Sequence, residues 1–286
     1  FSERSIKAFH TGLKCADISS LVVLAGISGT GKSLLPELYA AALGMNFLPM
    51  AVQPRWDSPQ DLFGFYNYME GRYKATELAR LLWQFDRYNN SAAKSLFKNQ
   101  MSMNLVLLDE MNLARVEYYF SDLLSKLEIR SGVNPYDVKQ RQAAEIEIES
   151  AAILDKKSHR RLFVDKNTLF VGTMNEDEST QSLSDKVLDR ANVLRFGRPE
   201  KLDAKPDKQR FKASYDGRKS ITEANWIVWK ESFNQSFIDD MRKLLQEVNP
   251  ALDEVGRPYA YRVAQAMESY VGYYPGTNNA DFSAAV

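Results

Sequence analysis

The chain reads as an α/β fold, a three-layer sandwich with a parallel sheet between helices, followed by a small all-helical module. Three observations predict it. Short all-apolar runs recur at Leu21–Ala25, Leu105–Leu108 and Leu169–Val171, the pattern of strands buried on both faces. Segments with apolar residues at helical spacing separate them, the alternation that builds helix-covered parallel sheets. From Glu223 onward only helical patterns occur. The resulting boundaries are 1–198 for the α/β domain, with a charged hairpin region inserted at 128–167, then a linker at 199–222 rich in Lys, Asp and Pro, then a helical domain at 223–286.

Each element follows from local chemistry. Residues 1–20 are a lead-in helix and loop, and 21–25 the first buried strand. Residues 32–43 form a helix closed by Gly44, with Pro36 near the edge of the first turn, where proline is tolerated. Asn46–Val52 is a strand in which Pro49, lacking an N–H, argues for an edge position. A loop rich in Pro, Gly and aromatics spans 53–66, and Glu77–Arg87 is a helix with Leu78, Leu81, Leu82 and Phe85 at helical spacing. The buried strand from Asn104 ends in two acids, Asp109 and Glu110, and Tyr118–Leu127 is one helix. Glu145–Glu149 alternates strictly, the pattern of a half-exposed strand, and a basic run follows at Lys156–Arg161. Thr168–Thr173 is the third buried strand, Ser184–Ala191 a helix and Asn192–Phe196 a last strand. There is no internal repeat.

Bulk properties narrow the function. The 286 residues are 44% hydrophobic and 26% charged, ordinary for a globular protein able to bury a large core. Lys+Arg and Asp+Glu are both 37, so a globally basic nucleic-acid surface is not indicated and only a local basic path remains open. One cysteine, Cys15, excludes an intramolecular disulfide framework and fits a reducing, cytoplasmic setting. With two histidines, His10 and His159, beside it, a structural zinc site is not expected. No apolar run approaches the ~20 residues that span a bilayer, and Phe1-Ser2-Glu3-Arg4 does not open a signal peptide. The absence of an initial Met, and an end at Ala284-Ala285-Val286, read as a piece of a longer protein.

Residues 26–33 read Gly-Ile-Ser-Gly-Thr-Gly-Lys-Ser. This is a complete G-x-x-x-x-G-K-[ST] phosphate loop between a strand and a helix, the context it requires. Gly26, Gly29 and Gly31 let the backbone around Ser28 and Thr30 curl so that N–H groups face phosphate oxygens, and the helix N-terminus adds positive potential. Lys32 reaches the β- and γ-phosphates, and the Ser33 hydroxyl suits Mg²⁺. The strand ending at Asp109-Glu110 delivers two carboxylates to the carboxyl edge of the sheet, where α/β folds place ligands. Asp109 is expected to hold Mg²⁺ and Glu110 to orient or deprotonate the attacking water. Asn175, after the third buried strand, could position that water. Arg190 cannot easily turn back to its own phosphates but could reach a neighbour's site as an arginine finger, with Arg195 as rival. Arg262, in the helical module, could fold over the γ-phosphate, with Arg257 as rival.

The order of these motifs, with Asp-Glu-Met-Asn-Leu-Ala at 109–114, Gly-Thr-Met-Asn at 172–175 and Leu-Ser-Asp-Lys-Val-Leu-Asp-Arg at 183–190, resembles the AAA+ superfamily of P-loop NTPases. Within it the chain looks most like the McrB branch, near the MoxR and dynein-related ATPases; Asp61-Leu62-Phe63-Gly64-Phe65 and Asp109–Glu128 carry that likeness. The resemblance implies a Walker A loop at Gly26–Ser33, a Walker B pair at Asp109-Glu110, a sensor-1 residue at Asn175, an arginine finger at Arg190 and a sensor-2 arginine at Arg262. It also implies a self-assembled ring, usually hexameric, with ATP or GTP and Mg²⁺ at subunit boundaries. Two departures matter. McrB-type GTPases typically read Thr-Ala-Asp-Arg after Met-Asn, whereas this chain has Glu176-Asp177-Glu178-Ser179, which favours ATP. Where relatives have Asn-Arg-Ala after the acids, Leu113 replaces the arginine, leaving only Arg115 to substitute for it. The functions in view are a restriction or phage-defence motor acting on DNA or on a McrC-like nuclease partner, a MoxR-like chaperone for complex or cofactor maturation, and a nucleotide-gated scaffold with little hydrolysis. No membrane role is expected.

Overall fold

The structure, a computed structural model, describes residues 1–96, 101–148, 160–176, 181–197, 220–231 and 233–276. Helix α1 (Glu3–Lys14) starts where the Ser2 side chain accepts the Ser5 N–H, and leads into β1 (Leu21–Gly26). Helix α2 (Leu34–Leu43) ends on Gly44, whose left-handed φ of 64° is the conformation glycine adopts most cheaply. Because α2 begins at Leu34, Pro36 lies in the first turn, where its missing N–H has no helical acceptor to lose. Then come β2 (Asn46–Ala51), α3 (Pro59–Phe63), the hairpin β3 (Gly64–Asn67) and β4 (Arg72–Ala75), α4 (Glu77–Phe85) and α5 (Ser91–Leu96). Strand β5 (Asn104–Asp109) is followed by a 3₁₀ turn at Met111–Leu113, α6 (Val116–Tyr119), α7 (Ser121–Arg130) and α8 (Val138–Ala144). The hairpin β6 (Glu145–Ile148) and β7 (Arg160–Phe163) precedes β8 (Thr168–Asn175), α9 (Asp185–Leu188) and β9 (Ala191–Phe196). Helices α10 (Glu223–Glu231), α11 (Gln235–Glu254) and α12 (Tyr261–Tyr273) close the described chain.

The main sheet is parallel in the order β2-β5-β8-β1-β9. Its three inner strands, β5, β8 and β1, are buried on both faces because helices cover both. Leu21, Val23, Val106, Leu108 and Phe170 join one core with residues of α4, α6 and α7. Val22, Leu24, Leu105, Leu107, Leu169 and Val171 join another with residues of α1, α2 and α10. Alternate residues of β1 and β5 thus serve opposite cores, as the two-residue period of a strand requires. Pro49 does stand on an edge strand, where its missing donor breaks no second ladder.

Several elements differ from the sequence expectation. The helix expected over Tyr118–Leu127 is two helices meeting at Phe120, which is fully buried and fixes the bend. The helix expected over Ser184–Ala191 is a single turn, and Ala191 already pairs with Leu21 in the sheet. The loop expected over 53–66 contains α3 and begins the β3–β4 hairpin. The alternating segment at 145–149 is not uniformly half-exposed. Glu145 is buried because Arg141 Nε donates to its Oε1 at 2.7 Å and Asn89 Nδ2 at 3.0 Å. Of the basic run, 156–159 lie outside the described residues, and Arg161 pairs with Glu147 at 2.9 Å. Most of the segment read as a linker also lies outside them.

The C-terminal helices divide by packing. Phe237 and Met241 of α11 meet Val271 of α12 and Tyr274 in a cluster of their own. Trp226 of α10 instead belongs to the α1–α2 side of the sheet. It meets His10 edge-on at 5.7 Å, and Trp229 meets the same ring at 5.5 Å. His10 Nδ1 lies 2.6 Å from Tyr39 Oη. Burial, assisted by the nearby Lys14 charge, pushes the His10 imidazole down to about 4. The folded state therefore keeps His10 neutral at pH values where the unfolded chain, near 6.5, takes up a proton. This contribution to stability is complete above the unfolded value and is lost as pH falls towards about 4. We predict that His10→Gln flattens the pH dependence of denaturant stability between these values by on the order of 3 kcal/mol. An unchanged slope would remove His10 from that dependence.

Candidate active site at the carboxyl edge of the sheet

Strand β8 lies between β1, which feeds the phosphate loop, and β5, which ends in the acids. The register pairs Gly26 with Asn175 and Leu108 with Gly172, so loop, amide and carboxylates converge on one edge. The loop has the curled backbone its glycines permit. Gly26 has φ 146°, and a Cβ there would lie 2.4 Å from the Phe196 carbonyl oxygen of β9. Gly29 has φ 81° with open space where its Cβ would project, so only backbone conformation restricts that position. Thr30 Oγ1 donates to the Ile27 carbonyl at 3.0 Å. Lys32 is buried, its Nζ donating to the carbonyls of Gly26 at 2.9 Å and Ile27 at 2.7 Å. The ammonium is thus held inside the curl, on backbone oxygens that phosphate oxygens can replace as partners.

The acid pair is tied to both neighbouring strands. Asp109 Oδ1 accepts from Ser33 Oγ at 2.7 Å and from Thr173 Oγ1 at 2.6 Å. Glu110 adopts φ 53° and ψ 46°, the one non-glycine residue with positive φ among the described residues. Its N–H donates to Thr173 Oγ1 at 2.8 Å, and its Oε1 accepts from Asn175 Nδ2 at 3.0 Å. Asn112, almost wholly buried, pairs with the Asn175 backbone like a strand neighbour. Its Nδ2 donates to Asn175 O at 2.8 Å, and its Oδ1 accepts from Asn175 N at 3.3 Å. Gly172 lets this happen, because a Cβ there would lie 2.1 Å from Met111 Sδ. Sequence reasoning did not single out Thr173 or Asn112. The available signal was position: each stands two residues from a candidate catalytic residue, inside the motifs at 109–114 and 172–175.

The candidate arginines are placed differently. Arg190, just after α9, lies with its Nε 3.0 Å from Glu128 Oε2, without the alignment of a hydrogen bond. Arg262 of α12 donates to the other oxygen of the same carboxylate at 2.5 Å. Both thus converge on Glu128 of α7. Arg195 pairs with Glu176 at 3.4 Å, and Arg115 donates to Tyr118 Oη at 2.9 Å. Arg257 is exposed. Of the segment at 176–179 only Glu176 is among the described residues; its N–H donates to Gly26 O at 3.3 Å.

A cavity of about 1140 Å³ opens beside Gly29 and Thr30, between α1, β9 and α12, with Val193, Met267 and Tyr270 among its walls. It has room for a nucleoside whose phosphates enter the loop. The residues also fit Mg²⁺, which takes one or two protein oxygens and completes its shell with water and phosphate. Ser33 and Asp109 supply a hydroxyl and a carboxylate already in contact. Among the described residues no group of three His, Cys, Asp or Glu side chains could hold a metal alone. No helix there is long and apolar enough to cross a membrane.

A phosphate loop on β1, acids on β5 and a polar strand end between them define a P-loop NTPase. The chain belongs to the dynein-related subfamily of AAA domains, whose family profile matches residues 21–191. Among solved structures it resembles a "putative ATPase" from Cytophaga hutchinsonii, with 15% identity, coverage of 98% of this chain and 78% of that one, and a TM-score of 0.56. That likeness shows the fold alone. No curated protein matches the chain by sequence. We predict that Lys32→Ala abolishes nucleotide binding, read by titration with a fluorescent ATP analogue, while the melting temperature stays near that of the wild type. Undiminished affinity would remove the lysine from phosphate contact.

Proposed function

We propose that the chain is the ATP-hydrolysing motor module of a McrB-like restriction or phage-defence system. It would work as a ring, usually a hexamer, that translocates DNA or remodels a McrC-like nuclease. The observation that carries the hydrolytic part is the hydrogen-bonded run Ser33–Asp109–Thr173–Glu110–Asn175 beside the phosphate loop. In this reading Lys32 exchanges the Gly26 and Ile27 carbonyls for β- and γ-phosphate oxygens. Ser33 and Asp109 hold Mg²⁺, which supplies charge neutralisation at the phosphates. Glu110 accepts the proton of the attacking water while the bond from the γ-phosphorus to the bridging oxygen breaks and ADP leaves. Asn175 keeps the Glu110 carboxylate aimed. Arg190 acts on a neighbour's nucleotide once Glu128 releases it, and Arg262 approaches the phosphates only on leaving the same carboxylate. ATP is favoured over GTP because Glu176–Ser179 departs from the segment of the GTP-using relatives. The domain division belongs to this reading, with a linker at 199–222 and the helical domain at 223–286 as the lid; of that domain α12 and Met241 of α11 line the cavity.

A MoxR-like chaperone would use the same active-site residues, so what stimulates turnover separates the two. We predict that Glu110→Gln binds ATP but lowers turnover by at least ~10²-fold. Equal hydrolysis by the variant and the wild type would exclude Glu110 from the chemistry. In the assembled ring, Arg190→Ala should keep ATP affinity and lower turnover by ~10³-fold; loss of affinity instead would mark it as structural. Duplex DNA should stimulate the full assembly, with an effect that weakens steeply as salt rises. DNA-indifferent turnover would turn the assignment towards the chaperone.

A further inference from the structure

We propose that Thr173 is a positioning residue for hydrolysis. Its hydroxyl ties the carboxylate on the magnesium side of the site, Asp109, to the backbone of Glu110, and so sets where the Glu110 carboxylate stands. This rests on the roles given above to Asp109 and Glu110. A threonine hydroxyl has one proton to donate and lone pairs to accept. Here both capacities are used: the proton goes to Asp109 Oδ1 at 2.6 Å, and the oxygen accepts the Glu110 N–H at 2.8 Å. Thr173 is only 1% exposed, so water has little access to replace either bond.

Glu110 needs this anchor more than an ordinary residue would. Its left-handed backbone is disfavoured for a residue with a Cβ and persists only where surroundings enforce it. The Thr173 bond is made to the amide of that strained residue. Two positions further along the same strand, and so on the same face, Asn175 holds the carboxylate. Thr173 fixes the root of the Glu110 side chain and Asn175 its tip. Without the hydroxyl, the amide loses its partner and the backbone is released towards the right-handed region, carrying the carboxylate off Asn175. The phosphate loop has no bond to the Thr173 side chain among those described, so nucleotide binding should survive.

The test compares Thr173→Val, Thr173→Ala and Thr173→Ser with Glu110→Gln in the assembled ATPase, measuring kcat, KM, ATP affinity and melting temperature. Thr173→Val keeps the shape and removes the hydroxyl. It should hold ATP affinity within about threefold of wild type while kcat falls ~10- to 100-fold, the scale of a small misplacement at the reacting centre. Thr173→Ser restores the hydroxyl and should return kcat to within about threefold of wild type. If Thr173→Val does not fold, Thr173→Ala carries the same expectation. Wild-type kcat in the folded hydroxyl-free variants, with Glu110→Gln inactive, would overturn the proposal and leave the site reading intact. Equal loss in the Ser and Val variants would overturn it too, as would loss of ATP affinity in step with kcat. Activity in Glu110→Gln would overturn the site reading itself.

Discussion

The placement of β8 between β1 and β5 is the constraint on which the site depends. The phosphate loop and the acid pair stand on strands that are not neighbours. Only the strand between them can bond to both. Thr173 reaches Asp109 and Glu110, and the Asn175 backbone faces Gly26 in the ladder while its amide meets Glu110. A parallel sheet provides this geometry because all its strands end on the same edge, and the connecting helices bury both faces of the apolar runs. Arg130 anchors the entry to β8 from α7, donating to the carbonyls of Val164 and Asp165. Although burial lowers its pKa, the guanidinium still serves backbone groups that the turn into the strand leaves without ladder partners.

The site carries local costs that the surrounding fold offsets. Lys32 is buried on backbone carbonyls, Glu110 is strained, and Ser33 and Thr173 donate to a single carboxylate oxygen. None of these arrangements would persist in a flexible loop. They persist because the strand ends are set by full burial of the residues before them, Leu108 and Val171 among others. The two outlying arginines show a similar economy of means. One carboxylate, Glu128, holds Arg190 and Arg262 together and so couples the end of α9 to α12.

Much of this architecture was legible in the sequence. The three apolar runs marked the central strands because a doubly covered strand needs no polar face. Pro49 marked an edge, and Gly44 a helix end. Where the reading missed, tertiary contacts had overridden local pattern. Tyr118–Leu127 has helical spacing throughout, yet burial of Phe120 splits it. Glu145 looks like an exposed rung of an alternating strand, yet Arg141 and Asn89 satisfy it inside. The β3–β4 hairpin escaped notice because its short, aromatic-rich strands lack a periodic run long enough to read.

The residues alone determined the phosphate-binding chemistry, because a curled glycine loop with a lysine and a serine has few other uses between a strand and a helix. They also determined that carboxylates and an amide would end neighbouring apolar runs. Strand order, and therefore which residue bridges which, came only with the tertiary structure. Thr173 and Asn112 act across 64 and 63 positions of sequence, a separation at which no local periodicity carries a signal. The same holds for Arg190 and Arg262, whose meeting on Glu128 no local pattern carries.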